Sequence, residues 1–274
     1  MLSARARSWL DIVTTIAMVL TCAALFWAAW TAPRPVRRPV PSVPATPVSL
    51  EGAEVQGDRT ARVVIIEYAD FQCPYCGAFE RSTMPLIRTT YVIPGKVLFA
   101  FRHRPIHELH PMATRAAQFA ECAGKQGKFW EMERALFDDQ RNLTQLDLLR
   151  HAESIGLDLP ALSVCASSDD TVRAVSRDVE EAKTLGLSGT PAFLIGRRDG
   201  GRVVVAKVLS GAASFPVFRA AIDGLLADGN EFSQTQHIIA WSGVAIAVLA
   251  AAAGLVVVRI KRSQGAAVTS PRHV

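Results

Sequence analysis

Hydrophobic positions along the chain sort by their period. Two runs are apolar throughout: "IVTTIAMVLTCAALFWAAW", residues 12–30, and "IIAWSGVAIAVLAAAAGLVVV", residues 238–258. Each reaches the roughly 20 residues that a helix needs to cross a bilayer, so both are read as transmembrane helices. Residues 33–47, "PRPVRRPVPSVPATP", show no apolar period and read as a stiff, partly polyproline II spacer. From about residue 48 to 230 the pattern changes to the short periods of folded structure.

"ARVVIIEYA" (Ala61–Ala69) is too continuously apolar for a half-exposed strand and predicts a buried central one. A helix is expected to start at the cysteine pair that follows and to run to about Thr90. "KVLFAFRH" (Lys96–His103) predicts a second strand, entered through a Pro94-Gly95 turn. Short helices are then expected over Ala113–Ala123, Phe129–Phe137, Leu146–Ile155 and Leu159–Cys165. A clearer one follows, with Val172, Val175, Val179, Ala182 and Leu185 on one face and Gly186 closing it. "AFLI" (Ala192–Ile195) and "RVVVAKVL" (Arg202–Leu209) form an antiparallel hairpin around Asp199-Gly200-Gly201, and a last helix covers Phe215–Leu226. The order is that of an α/β protein with a mixed sheet and a helical domain inserted in its middle.

A chain of 274 residues holds one domain of about 150 to 200 residues plus these extras. The formal charge of +5 is not spread over that domain, because acids slightly outnumber bases between residues 51 and 230. The basic excess therefore belongs to the linker and tails, which argues against a nucleic-acid partner. Arg259, Lys261 and Arg262 directly follow the second apolar run and place the tail, residues 259–274, in the cytoplasm. Two spans return residues 1–11 to the same side. Arg34, Arg37 and Arg38 pull against that orientation of the first span. A cleavable signal peptide is the alternative there, since Arg5 and Arg7 precede the run, but Trp30, Pro33 and Pro35 crowd the junction where cleavage would fall. Cys22, inside the run, reads as a small apolar residue of a membrane helix.

The chemistry centres on Cys73-Pro74-Tyr75-Cys76, between the buried strand and the helix. A helix start carries unpaired N–H groups and partial positive charge, which favour a thiolate at Cys73. Pro74 fits the first turn, and Cys76, one turn in, faces inward where it resolves a mixed disulfide formed at Cys73. Zinc needs two further ligands that no second C-x-x-C supplies, and a purely structural disulfide would close a very small loop. Exchange-active chemistry fits best. Gly189-Thr190-Pro191 precedes a strand, and a cis bond at Pro191 beside the cysteines would expose backbone groups to a substrate peptide. Glu67 is either solvated at the strand edge or held beneath the cysteines, where it would assist proton transfer at Cys76. Cys122 and Cys165 are either a structural disulfide or two buried free thiols. His103, His107 and His110 do not match a metal-binding helix, because Pro105 interrupts them, and read as loop histidines near the active face. The aromatic stripe in "KFWEMERALF" reads as core packing.

Together, "VVIIEYADFQCPYCGAFE", "FRHRPIHELHPMATRAAQFAECAGKQGKFWEMERALF" and "GLSGTPAFLIG" resemble the DsbA-like branch of the thioredoxin-fold thiol:disulfide oxidoreductases of bacterial envelopes. The resemblance covers about residues 48 to 228. It implies a thioredoxin-like α/β fold over 48–230 with an inserted helical subdomain at about 108–187, here flanked by two transmembrane helices. It further implies Cys73 as nucleophile, Cys76 as resolving cysteine, Pro191 as a cis proline with Thr190 before it, and Glu67 as a buried acid under the site. A second disulfide in the helical domain of several relatives supports pairing Cys122 with Cys165. No cofactor or metal is expected. Reduced envelope proteins are the expected substrates, and a quinone-linked membrane protein the expected reoxidant. Pro-Tyr stands where the best-known oxidants carry Pro-His, and Thr before the cis proline also occurs in isomerases. A reductase or isomerase with the same cysteines is thus one alternative, and a membrane-tethered metallochaperone or assembly factor is another.

Overall fold

The computed structural model describes residues 4–31 and 42–228. The chain divides at Val40 into two compact units. The first contains α1 (Ala4–Thr31), which is helical through the whole of the first apolar run. Its large apolar side chains, among them Val13, Met18, Leu25, Phe26, Trp27 and Trp30, are exposed, as is Cys22. Among the described residues no helix is long and apolar enough to cross a membrane, so this structure supports the helix and not the span. The second apolar run and the basic tail lie outside the described residues.

The second unit is built on a six-stranded sheet in the order β1-β6-β5-β3-β4-β2. β3 (Val63–Ala69) is central and buried along its whole length, parallel to β4 (Val97–His103) and antiparallel to β5 (Ala192–Asp199). Parallel neighbours need a crossover, supplied here by α2 (Pro74–Ser82), α3 (Met84–Ile87) and a π-helical turn at Arg88–Val92. The helix expected to reach Thr90 is thus broken at Thr83. Pro85 has no N–H to offer the carbonyl of Arg81, so the regular hydrogen-bond ladder stops there.

β5 and β6 (Arg202–Ser210) form the expected hairpin, with a bulge between Ile195 and Gly196. A Cβ at Gly196 would lie 2.1 Å from the carbonyl oxygen of Val204, so the bulge admits only glycine. Two edge strands, β1 (Val48–Ser49) and β2 (Glu54–Gln56), are too short to show a period in the sequence. They pair antiparallel with β6 and β4 respectively.

Alternation along β3 divides the core. Val63 and Ile65 face Phe79, Phe193, Phe218 and Ile222, on α2, β5 and the closing helix α9 (residues 215–228). Val64, Ile66 and Tyr68 face the opposite layer with Leu98, Leu194 and Ala182. The insert comprises α4 (Ala113–Lys125), α5 (Phe129–Asp138), α6 (Gln145–Ser154), α7 (Leu159–Ala166) and α8 (Asp169–Thr184). Thr144 and Asp147 form a capping box at α6, and Asp158 and Ser168 cap α7 and α8. The core of the insert joins Phe119, Phe129, Leu136 and Phe137 to Phe71, Phe101 and both active-site cysteines.

The buried face of α8 differs from the expected valine stripe. Thr171, Val175, Asp178 and Ala182 are buried, whereas Val172 is exposed. The cause is electrostatic. Arg102 is buried on β4 and brings Nη1 to 2.7 Å from Asp178 Oδ1, while the His103 N–H donates to Asp178 Oδ2 at 3.0 Å. The same guanidinium donates to the carbonyls of Ser49 and Glu51. A buried cation with these partners draws the carboxylate inward, and the helix turns to follow.

Cys122 and Cys165 are bonded at 2.00 Å and separated by 43 positions, joining α4 to α7. In the chain-entropy model a loop of this length stabilises the fold by about 4 kcal/mol. Replacing both cysteines with alanine is therefore expected to lower the unfolding free energy by about that amount in equilibrium urea unfolding. An unchanged midpoint would show that the helices hold the insert without the bond.

Candidate active site

β3 ends at Ala69, and a turn organised by Asp70 carries the chain into α2. Asp70 is buried. Its Oδ1 accepts from the Gln72 N–H at 2.8 Å, its carbonyl accepts from the Cys73 N–H at 3.1 Å, and its Oδ2 accepts from the Ile106 N–H at 2.8 Å. His110 Nδ1 also lies 2.8 Å from Oδ2, fixing the loop after β4 to the same carboxylate. Cys73 is left at the N-cap of α2 with extended backbone angles (φ −72°, ψ 121°), and Pro74 follows in the first turn.

The two sulfurs sit in different surroundings. Cys73 Sγ lies 3.4 Å from the carbonyl oxygen of Thr190, and the Thr190–Pro191 peptide is cis. Pro74 and Tyr75 are exposed, Tyr75 by 66%, so the outer side of the turn is open. Cys76 points inward and is 0% exposed. Both thiols are free. A hydrogen bond from the Cys76 thiol, helped by Thr190 and by the N–H groups of Cys76 and Tyr75, outweighs burial and pulls the Cys73 pKa down to about 5. The pKa of Cys76 moves the opposite way, pushed up first by burial, then by its hydrogen bond to Cys73 and by the charges of Cys73 and Glu67.

Glu67 lies under this pair. It is 0% exposed, and in the sheet it is flanked by Phe101 on β4 and Phe193 on β5. Neither of its carboxyl oxygens has a hydrogen-bond partner. Glu133 on α5 is equally buried and its oxygens are equally unpartnered. Glu80, one turn beyond Cys76, couples electrostatically to both. Burial raises all three pKa values, with the charge of Glu133 adding to the shift at Glu67 and that of Glu80 to the shift at Glu133. For Glu80, burial and then the charge of Glu67 bring the value to about 8. Burial thus favours the protonated form of each carboxyl, next to a cysteine that gains and loses a proton.

Cys73, Cys76, Thr190, Pro191 and Glu67 thus meet at one place, whereas Cys122 and Cys165 stand in the insert. The histidines do not share a loop position. His103 closes β4 and is buried against Phe71, Phe101 and Phe129. His107 is exposed, and His110 meets the site through its contact with Asp70. Among the described residues no group of three His, Cys, Asp or Glu is placed to hold a metal ion. Sequence reasoning missed Glu80 and Glu133. Glu80 is four residues after Cys76 on one helix face, and Glu133 lies on the buried stripe with Phe129 and Leu136, within a segment read only for its aromatics.

Two pH profiles follow. The alkylation rate of Cys73 with iodoacetamide is expected to rise with a midpoint near 5, far below the value of about 8.5 for an ordinary thiol. A midpoint near 8 would contradict the thiolate. Stability is expected to fall as pH rises from about 4.5 to 8, because over that window the native state holds a proton on Glu80 that the unfolded state has released. Urea unfolding of the Glu80→Gln protein should lose that part of the slope, at most about 1.4 kcal/mol per pH unit.

A family model described as thioredoxin matches residues 49–210. A solved structure, alpha-DsbA1 of Wolbachia pipientis, is 26% identical, with a TM-score of 0.58 over 66% of this chain and 94% of that one. BdbD of Bacillus subtilis shares the fold at 22% identity, with a TM-score of 0.58 over 66% of this chain and 98% of its own. Among curated relatives, the Na(+)/H(+) antiporter NhaA 3 of Salinispora tropica is 39% identical over 173 residues, 61% of this chain. The antiporter NhaA 1 of Mycobacterium sp. (strain KMS) is 33% identical over 199 residues, 72% of this chain. This chain spans 26% of the first antiporter and 32% of the second. With the family match extending over more than half of its length, the chain belongs to the thioredoxin family, in its DsbA-like branch of thiol:disulfide oxidoreductases.

Proposed function

We propose that this chain is a membrane-anchored thiol:disulfide oxidoreductase that works as an oxidant, introducing disulfides into reduced proteins outside the cytoplasm. The observation that carries this reading is the opposite tuning of the two cysteines, with Cys73 held as thiolate and Cys76 as thiol. Stabilising the Cys73 thiolate favours the reduced enzyme, and a couple whose reduced form is favoured takes electrons from its substrate.

In the oxidised enzyme a substrate thiolate attacks Cys73 Sγ, forming a mixed disulfide as the Cys73–Cys76 bond breaks. Cys76 leaves as a thiolate and takes up a proton, which the acid beneath it, Glu67, is placed to supply. A second substrate thiolate then attacks the substrate sulfur of the mixed disulfide, and Cys73 departs as its stabilised thiolate. The substrate has lost two electrons and carries a disulfide; the enzyme has gained them as a dithiol. Thr190 and the cis Pro191 border the nucleophile where the substrate chain would lie. Reoxidation requires an electron acceptor, which we assign to a quinone-linked protein of the same membrane.

Anchoring is read from the length of the two apolar runs of the sequence, the first of which forms α1. Relatives named as Na(+)/H(+) antiporters agree with a place at a membrane. The basic tail sets the catalytic domain on the periplasmic side.

The reduction potential of the Cys73–Cys76 couple, measured against glutathione buffers, is expected to be well above the value of about −270 mV typical of thioredoxin. A potential near that value would make the enzyme a reductase. Cys73→Ser is expected to abolish oxidation of a reduced test protein, and undiminished oxidation would overturn the activity itself.

A further inference from the structure

Gln140 lies in the loop after α5, outside the motifs that define the site. Its Nε2 donates to the carbonyl of Cys73 at 2.8 Å and to that of Phe71 at 2.9 Å. Both partners are acceptors only, so the amide orientation is fixed and its two hydrogens are both used. The Cys73 carbonyl also accepts the Gly77 N–H, the first hydrogen bond of the α2 ladder. Gln140 therefore grips the residue whose backbone angles aim the nucleophilic sulfur. Its approach depends on Gly77, since a Cβ there would stand 2.0 Å from Gln140 Oε1 and 2.6 Å from its Cδ. Gly77 is needed here for space, and the price of filling it would fall on a movable side chain and spare the backbone.

We propose that Gln140 is a positioning residue for Cys73: the insert reaches across to hold the active-site turn in its reactive geometry, and Gly77 is the seat that admits it. The donors that stabilise the Cys73 thiolate act over short distances and at defined angles, so they work only while the N-cap backbone keeps its orientation. Arg81, whose Nη1 donates to the Phe137 carbonyl at 2.9 Å, makes a second tie from α2 to the end of α5. Gln140 is the one of the two that holds the reactive residue directly.

The proposal rests on Cys73 being the reactive thiolate, and its test is independent of protein substrates. Iodoacetamide, too small to need the surface beside Pro191 where a substrate chain would lie, is used to alkylate Cys73 across a pH series in the full chain. The variants are Gln140→Met, Gly77→Ala and the two combined. Met keeps the length of the side chain and removes its donors. Each single variant is expected to shift the alkylation midpoint upward by about 0.7 to 1 pH unit and to lower the rate at pH 4, below the midpoint, by about five- to ninefold, the effect of losing the hydrogen bonding to the Cys73 carbonyl. The double variant is expected to be no slower than either single one, because both remove the same contact. Gln140→Glu, which turns acceptors toward two carbonyls, should be slower than Gln140→Met. Unchanged midpoints in the single variants, or additive losses in the double one, would overturn the proposal. Thermal melts of each variant identify any that do not fold, and Gly77→Ala then carries the test alone with Gln140 still present. An enzyme inert toward protein thiols yet showing these shifts would overturn the functional reading and leave the role of Gln140 standing.

Discussion

The start of an α-helix leaves its first N–H groups without partners inside the helix, and the site is arranged around that shortage. Cys73 occupies the N-cap of α2 without making a side-chain cap, so the donors of the first turn are left for a sulfur anion. The shift at Cys73 is assembled from hydrogen bonds: the Cys76 thiol, Thr190 and two backbone N–H groups. Stabilisation of this kind is short-ranged and directional, so salt screens it little and small rotations weaken it strongly. Much of the surrounding structure resists such rotation. Asp70 shapes the turn, His110 and the Ile106 N–H hold Asp70, and Thr190 closes from the turn before β5.

Inside the protein the same economy runs in reverse. Cys76 is surrounded by groups that oppose its ionisation, and burial raises the three acids near it, with the charge of Glu133 adding at Glu67, that of Glu67 at Glu80 and that of Glu80 at Glu133. A buried carboxyl without hydrogen bonds costs stability in its charged form and is tolerated because it stays protonated. Phe101 and Phe193 on the neighbouring strands exclude water from Glu67. Glu133 comes from the insert, so the acidic cluster spans the seam between the sheet, the first helix after the cysteines and the inserted helices. The insert thereby shares in the proton chemistry as well as in the packing.

Much of this was readable in the sequence. The continuous apolar run of β3, the break at the cysteines, the second strand, the hairpin and the order of the inserted helices all follow from period and turn chemistry. What escaped was pairing. Asp178 is buried in place of Val179 because Arg102 requires an anion, and nothing in the spacing of α8 reveals a cation on β4. β1 and β2 have too few residues to display alternation and exist because sheet edges accept them. Glu133 and Glu80 were visible as letters, yet a lone acid on an apolar face gains meaning only when another element brings a third one to it. Gln140 carries no signal at all in a polar loop.

The two cysteine pairs show how a single chain keeps exchange chemistry in one place. Cys122 and Cys165 close a long loop within the insert, away from the start of α2, where no unequal pair of thiolates favours exchange. Cys73 and Cys76 lie one helical turn apart beneath the exposed Pro74 and Tyr75, Cys73 at 4% exposure and Cys76 at 0%, and the pair is governed by the unequal stability of its two thiolates. Attack at Cys73 expels Cys76, whereas attack at Cys76 is blocked by burial. The direction of each exchange step is thus set by which sulfur is reachable and which leaving group can take a proton. In this fold both follow from placing one cysteine at the first residue of a helix and the other on its inner face.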